Sequence, residues 1–424
     1  MKILIIGVNY APEISGIAPY TSAMAEGLQA AGHQVNVITG IPHYPQWTNY
    51  TGFTGLTRTS RITGVRVRRV RHVIGSGGMG VSRIMQEVTF GLAAALSPWH
   101  RPDVVLCVSP ALISTGLQVL RSKLPGQPPV TVWVQDLYSN GAREIGGNNR
   151  VGHVLESVES AILRAADGVL VIHERFRRHV VDDLGVDDAK VCVSRNWSHI
   201  DISLSADPAE VRRKYFGDAK MVAIHTGNMG AKQGLENIVE AARLADQRGS
   251  SVVFGLVGNG SRHDALVAAG AGVKHLVFVP SLGDAEYAAM LQCADVLIVN
   301  EKPGLRESAV PSKLTSYFIQ GKPVVAATEA DSATADEVRV AEAGPIIAPG
   351  DPASLLDIVE DMAGSVRRAS RYGANARRFA EENFLAAKAV ARVSGWLSQF
   401  PRSAQARPAR PPLVHAGDNI EETE

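Results

Sequence analysis

The sequence has only three cysteines, Cys107, Cys192 and Cys293, set far apart in 424 residues. They show no zinc-type spacing and cannot all pair within one chain. A disulfide framework is therefore excluded, and a reducing cytosol with the thiols as core fillers is expected. Net charge is equally scarce, since 43 Lys plus Arg against 42 Asp plus Glu leaves +1. That balance argues against a global attraction to nucleic acid, and no nucleic-acid partner is expected. No apolar run is long and charge-free enough for a confident transmembrane helix, although "VSRIMQEVTFGLAAALSPW" comes closest. The opening "MKILIIGVNY" lacks a small-residue cleavage site and reads as a buried first strand rather than a signal peptide. Chemical signatures are missing too. There is no Asp-x-Asp, no H-E-x-x-H or similar metal spacing, and no G-x-G-x-x-G after the first strand. The only Gly-Lys pair, Gly321-Lys322, is followed by Pro323, so there is no P-loop.

What is present is alternation. Strand-length apolar runs such as "KILIIGV", "QVNVIT", "DVVLCVS" and "VTVWVQD" are separated by helical patterns, which implies parallel sheets covered by helices on both faces. The pattern weakens across "RNWSHIDISLSADPAEVRRKYFGDAK" and restarts at "MVAIHTG". With 45% hydrophobic and 20% charged residues, the composition is that of a globular protein. The predicted organisation is two doubly wound Rossmann-like domains, 1–199 and 218–385, joined by a linker at 200–217. A terminal helix at 386–400 and a disordered tail at 401–424, rich in Pro, Ala and charge, complete it.

Four places carry candidate chemistry. In "TGNMGAKQGLENIVEAA" three glycines, Gly227, Gly230 and Gly234, surround Lys232 between a strand and an amphipathic helix, a geometry that can hold a diphosphate. In "VPSKLTSYFIQGKPVVA", Pro311 and Ser312 are helix-start residues, which places Lys313 in the first turn. A cation opposes the helix dipole there unless an anion is bound. Gly16, in the loop after the first strand, lets the backbone approach a ligand closely. Asp136 closes the strand "VTVWVQD" at the edge where open α/β sheets place their ligand crevice, or else caps the next turn. With no convincing metal cluster, charge on a leaving diphosphate would have to be met by lysines, loop amides and helix dipoles. Neither a metal nor any other cofactor is expected.

These motifs, together with "NYAPEISGIAPYTSAMAEGLQAAGHQVNVITGIPHYPQW", resemble family-four glycosyltransferases of the GT-B fold. The likeness runs from about residue 1 to 400 and is nearest to the WcaI-like and N-acetylfucosamine transferase branch of capsule and O-antigen assembly. The resemblance implies a nucleoside-diphosphate sugar held mainly by the second domain and an acceptor held by the first, with metal-independent, retaining transfer. By position, Gly16, Gly227, Asn228, Gly230, Gln233, Pro311, Ser312 and Ser316 fall on the donor side. His43 and Tyr44 fall on the acceptor side, Lys313, Lys232 and Asp136 are the expected catalytic groups, and Asn196 resembles the residue that ends the first domain. Three departures stand out. Many relatives have Arg at Asn228, Lys at Gln233 and Glu at Ser316, where the usual ribose contact is made. A GT-B-shaped sugar-nucleotide epimerase, or a sugar-nucleotide-binding protein without catalysis, stays open at this level.

Charge placement adds one expectation. No acidic residue lies between Glu26 and Glu87, yet Arg58, Arg61, Arg66, Arg68, Arg69, Arg71 and Arg83 do. This basic stretch leads into the apolar "IMQEVTFGLAAALSPW", and together they suggest contact with an anionic membrane surface that presents a lipid-linked or glycan acceptor. The expected location is cytoplasmic, peripheral at the inner face of the cell membrane.

Overall fold

The computed structural model describes residues 1–14, 16–75, 80–138, 150–198, 206–306 and 311–400. The predicted tail lies outside the described residues, as does the first part of the predicted linker.

Eight strands form the first sheet: β1 (Lys2–Gly7), β2 (Gln34–Gly40), β3 (Thr57–Ile62), β4 (Val65–Val70), β5 (Val104–Ser109), β6 (Val130–Val134), β7 (Gly168–Val171) and β8 (Val191–Val193). Their spatial order is β3-β4-β2-β1-β5-β6-β7-β8. All neighbours are parallel except β3 and β4, which are joined by Thr63 and Gly64, both at positive φ. A two-residue turn of that kind matches the twist of a hairpin. The second sheet holds β9 (Met221–Thr226), β10 (Val252–Val257), β11 (Leu276–Val279), β12 (Val296–Asn300), β13 (Val324–Ala327) and β14 (Ile346–Ile347), all parallel in the order β11-β10-β9-β12-β13-β14.

Central strands such as β5, β6 and β9 are buried at every residue. Helices cover both faces of such strands, so apolar side chains are needed on both sides and no alternation survives. Chain order reverses between β1 and β5 in the first sheet and between β9 and β12 in the second. Ligand crevices of open α/β sheets form beyond the carboxyl ends at such reversals.

The two domains touch where the chain after β7 and β8 meets the helix that follows β13. Arg195, just after β8, makes a buried two-pronged ion pair with Glu337, its Nε 2.9 Å from Oε2 and its Nη2 3.1 Å from Oε1. Arg178 donates to Asp336 Oδ2 at 2.6 Å. Both acids lie on the helix Ala333–Val340 that follows β13.

Two boundaries differ from the sequence reading. Residues 208–216 of the predicted linker form the helix Pro208–Phe216, capped by the Asp207 carboxylate. Its Val211 and Phe216 join the core of the second domain. The segment looked like a linker because only this narrow stripe of a polar helix is apolar. The terminal helix Ala386–Leu397 returns to the first domain, where Val390, Val393, Trp396 and Leu397 enter its core. There His33 and Ser394 hydrogen-bond at 2.7 Å.

Candidate active site

The glycine-rich loop and the lysine helix meet at the β9/β12 reversal. Gly227 follows β9 with φ +104, and its backbone is exposed. A Cβ there would lie 3.9 Å from both Cε and Nζ of Lys313, so the lysine amine stands directly beside the glycine. Lys313 begins the helix Lys313–Ile319 and is partly buried. Its Nζ lies 2.8 Å from Nε2 of His225, a fully buried residue of β9. Burial lowers the Lys313 pKa to about 7, with the charge of Glu301 opposing the shift. Burial, and then Lys313 itself, hold His225 neutral far below the usual histidine range.

The loop is braced from several sides. Gly227 N donates to Val257 O, and Met229 N donates to Asn259 O, each at 2.8 Å. Gln233 Oε1 accepts from Gly230 N at 3.0 Å, so this side chain is spent on shaping the loop. Asn300, the last residue of β12, donates to the carbonyls of Gln233 and Gly234 at 2.8 and 2.9 Å. Gly234 sits at φ +56, and a Cβ there would lie 3.1 Å from Lys302 Cα. Asn228 and Lys232 are exposed on the same loop.

Pro311 and Ser312 precede the lysine helix as expected, but Ser312 makes no side-chain cap. Its carbonyl instead accepts from Thr315 Oγ1 at 2.6 Å. Ser316 is buried at 8% exposure, with the helix pointing it into the domain rather than toward solvent. The reading of Ser312 as a capping residue is corrected.

On the first domain, Gly16 has φ +64, and a Cβ there would meet Tyr44 Cε1 at 3.3 Å. The two residues therefore share one corner beyond β1. His43 is different. It is 1% exposed, with Nδ1 2.9 Å from Ile41 O and Nε2 accepting from Gln86 Nε2 at 2.8 Å. Its acceptor-side role is corrected to a structural one, because both ring nitrogens are engaged inside the domain. Beneath this corner lies a residue that sequence reasoning missed. The buried carboxylate of Glu13 accepts from His43 N and Tyr44 N, both at 2.8 Å, and from Asn9 Nδ2 at 3.0 Å, tying the two loops together.

Asp136 is exposed after β6, and its Oδ1 accepts from Leu137 N at 2.9 Å. Beside it, Gln135 and Asn196 exchange amide hydrogen bonds at 2.7 and 3.2 Å. Among the described residues no group of three His, Cys, Asp or Glu is arranged to hold a metal ion.

The arginine stretch divides. Arg58, Arg61, Arg66 and Arg71 are exposed, whereas Arg69 is 2% exposed and donates to the carbonyls of Ala11 and Gly40. Arg83 pairs with the buried Glu87 at 3.2 Å. Of the arginines expected to contact a membrane surface, Arg69 is therefore unavailable and Arg83 is engaged within the domain.

Two Rossmann-like domains, the second with a braced glycine-rich loop at its sheet's reversal point, match the GT-B glycosyltransferases, and comparison with known proteins agrees. Residues 15–197 match the glycosyl transferase 4-like domain and residues 220–364 match glycosyl transferases group 1. The chain is 30% identical over 347 residues to WcaI of Escherichia coli K12, named as a colanic acid biosynthesis glycosyl transferase. That match covers 78% of this chain and 84% of WcaI. Among solved structures it is similar to sucrose-phosphate synthase from Thermosynechococcus elongatus, with TM-score 0.68, 19% identity and coverage of 94% and 98%. It is also similar to Anabaena HepE in complex with UDP-glucose, with TM-score 0.65, 15% identity and coverage of 94% and 100%. The chain belongs to the WcaI-like branch of the family-four GT-B glycosyltransferases.

The sequence reading overlooked His225, Glu13 and Glu301. A histidine inside the apolar run "MVAIHTG", next to the glycine loop, was the available signal for the first. Nothing in sequence marks the other two as buried.

Proposed function

We propose that this glycosyltransferase moves a sugar, with retention at the anomeric carbon, from a nucleoside-diphosphate sugar to a lipid-linked or polysaccharide precursor in cell-surface polysaccharide biosynthesis. The observation that carries the donor side is the Lys313 amine beside Gly227, at the sheet's reversal point and unpaired by any carboxylate among the described residues. When the bond from the anomeric carbon to the diphosphate oxygen breaks, negative charge grows on the leaving group. A fixed cation and loop amides aimed at that charge lower the barrier. Lys313 and Lys232 take the cationic role, with the Gly227 and Gly230 backbone approaching the phosphates and Asn228 beside them. Asp136, exposed at the end of β6, orients the acceptor or a reacting group. The UDP-glucose bound to HepE and the polysaccharide in the name of WcaI support this reading by analogy.

The acceptor side is proposed to work at the inner face of the cell membrane, as a peripheral protein. The helix Val81–Leu96 turns Val81, Ile84, Met85, Leu92 and Leu96 outward. The basic hairpin β3-β4 lies beside it.

The test is transfer or donor hydrolysis on purified protein with UDP-, GDP- and TDP-sugars, with and without EDTA. Turnover that survives chelation is expected, because lysines and amides meet the leaving charge. Activity lost with EDTA and restored by magnesium or manganese would overturn the mechanism.

A further inference from the structure

His225 occupies the middle of the second sheet, one residue before the end of β9, with no exposed surface. Its Nδ1 lies 3.1 Å from the carbonyl oxygen of Ile298 on the neighbouring β12. A carbonyl only accepts, so Nδ1 carries the proton and Nε2 keeps its lone pair. That lone pair faces Lys313 Nζ at 2.8 Å. The lysine therefore donates to a neutral ring.

The other groups around this pair are already engaged. Glu301, at the end of β12, accepts from the hydroxyls of Thr328 and Thr334, the latter at 2.7 Å. Tyr317 on the lysine's own helix accepts from Thr226 N at 2.8 Å, and Tyr287 shares the Thr226 hydroxyl at 2.8 Å. The charged side chains of the adjoining loops, Lys232 and Lys302, have the same sign as Lys313.

We propose that His225 is the positioning residue for Lys313: it holds the amine beside Gly227 as a neutral acceptor, and the donor's diphosphate binds together with a proton that completes the ammonium. This rests on the nucleotide-sugar reading above. A carboxylate at this position would pair with the lysine permanently and compete with phosphate. An apolar side chain would leave the amine free to swing away from the loop.

The direction of the proton follows from burial, which holds the free lysine near pKa 7. Above that pH the empty site is largely uncharged, and an anionic ligand draws a proton onto Nζ from the buffer. Below it the proton is already present, and none is taken up.

Calorimetric titration with UDP, GDP and TDP, in buffers of high and low ionisation enthalpy, tests this. For whichever nucleotide binds, about one proton should be taken up per site near pH 8 and close to none near pH 5.5, relative to Lys313→Met. Affinity should fall by up to about tenfold per pH unit above about 7. His225→Leu should weaken binding about tenfold, on the order of one lost hydrogen bond. His225→Gln, whose amide oxygen can accept, should recover most of it. If His225→Leu does not fold, the wild-type pH dependence and the Gln variant decide. Nucleotide binding with no proton uptake beyond that of Lys313→Met, or a Leu variant that binds like wild type, overturns this inference alone. Binding of none of the three nucleotides overturns the donor reading and the inference with it.

Discussion

At the residue scale, the proposed donor site rests on two side chains and one missing side chain. In that proposal Lys313 supplies charge, His225 supplies direction, and Gly227 supplies room. Lys313→Ala is expected to lower turnover at least about a hundredfold, the lower range for removing one donor aimed at developing charge, with little change in melting temperature. A near-wild-type rate would return Lys313 to an ordinary partly buried lysine. Gly227→Ala should also lose activity, because φ +104 is strained for alanine and the loop would have to shift. Single-turnover rates at saturating donor would show the loss as a lower rate rather than as aggregation. Sequence pointed to Lys313 and Gly227, which the structure brings side by side, because both sit in motifs whose spacing follows helix and loop rules. Glu13 and His225 escaped it because their importance comes from partners 30 and 88 residues away.

At the element scale, the helix Val81–Leu96 buries Phe90 and Ala94 in the core yet presents a second apolar face outward. It buries Gln86 and Glu87 and exposes Leu96 at 85% and Val81 at 77%. Glu87 is held inside by Arg83, by the Tyr138 hydroxyl and by Ile113 N at 3.0 Å, which leaves the outer face without a described acid. Such a face suits insertion at a lipid surface, and the neighbouring arginines add about 1 kcal/mol each near an anionic leaflet. We expect the protein to co-sediment with anionic vesicles and to release as salt is raised. Met85→Ser with Leu92→Ser and Leu96→Ser should weaken that binding, and so should Arg66→Ser with Arg71→Ser, both leaving nucleotide affinity unchanged. Arg69→Ser should instead lower the melting temperature, since it removes the donor to two loop carbonyls. Vesicle binding that none of the surface variants alters would assign this face to something other than lipid.

For the molecule as a whole, the Arg195–Glu337 pair is a buried link between the two domains. Removing one partner leaves a buried charge unpaired, at a cost of about 3–5 kcal/mol. Glu337→Gln should therefore loosen the domain arrangement, lowering kcat/KM and broadening the small-angle scattering envelope. An unchanged scattering profile and unchanged kinetics would mean that the terminal helix and the Arg178–Asp336 pair hold the domains without it.

The sequence alone determined the alternation of strand and helix, hence two parallel sheets, and it determined the loop and helix that carry Gly227, Lys232 and Lys313. Those features are local, because periodicity, glycine and proline act over a few residues. Only the tertiary structure decided that Pro208–Phe216 belongs to the second domain, that Arg69 is buried while Arg66 is exposed, and that His225 meets Lys313. Adjacent residues on one strand point to opposite faces, so a run of arginines has no single fate until the neighbouring elements are packed. A buried histidine likewise acquires its role only when a helix from elsewhere in the chain is laid against it.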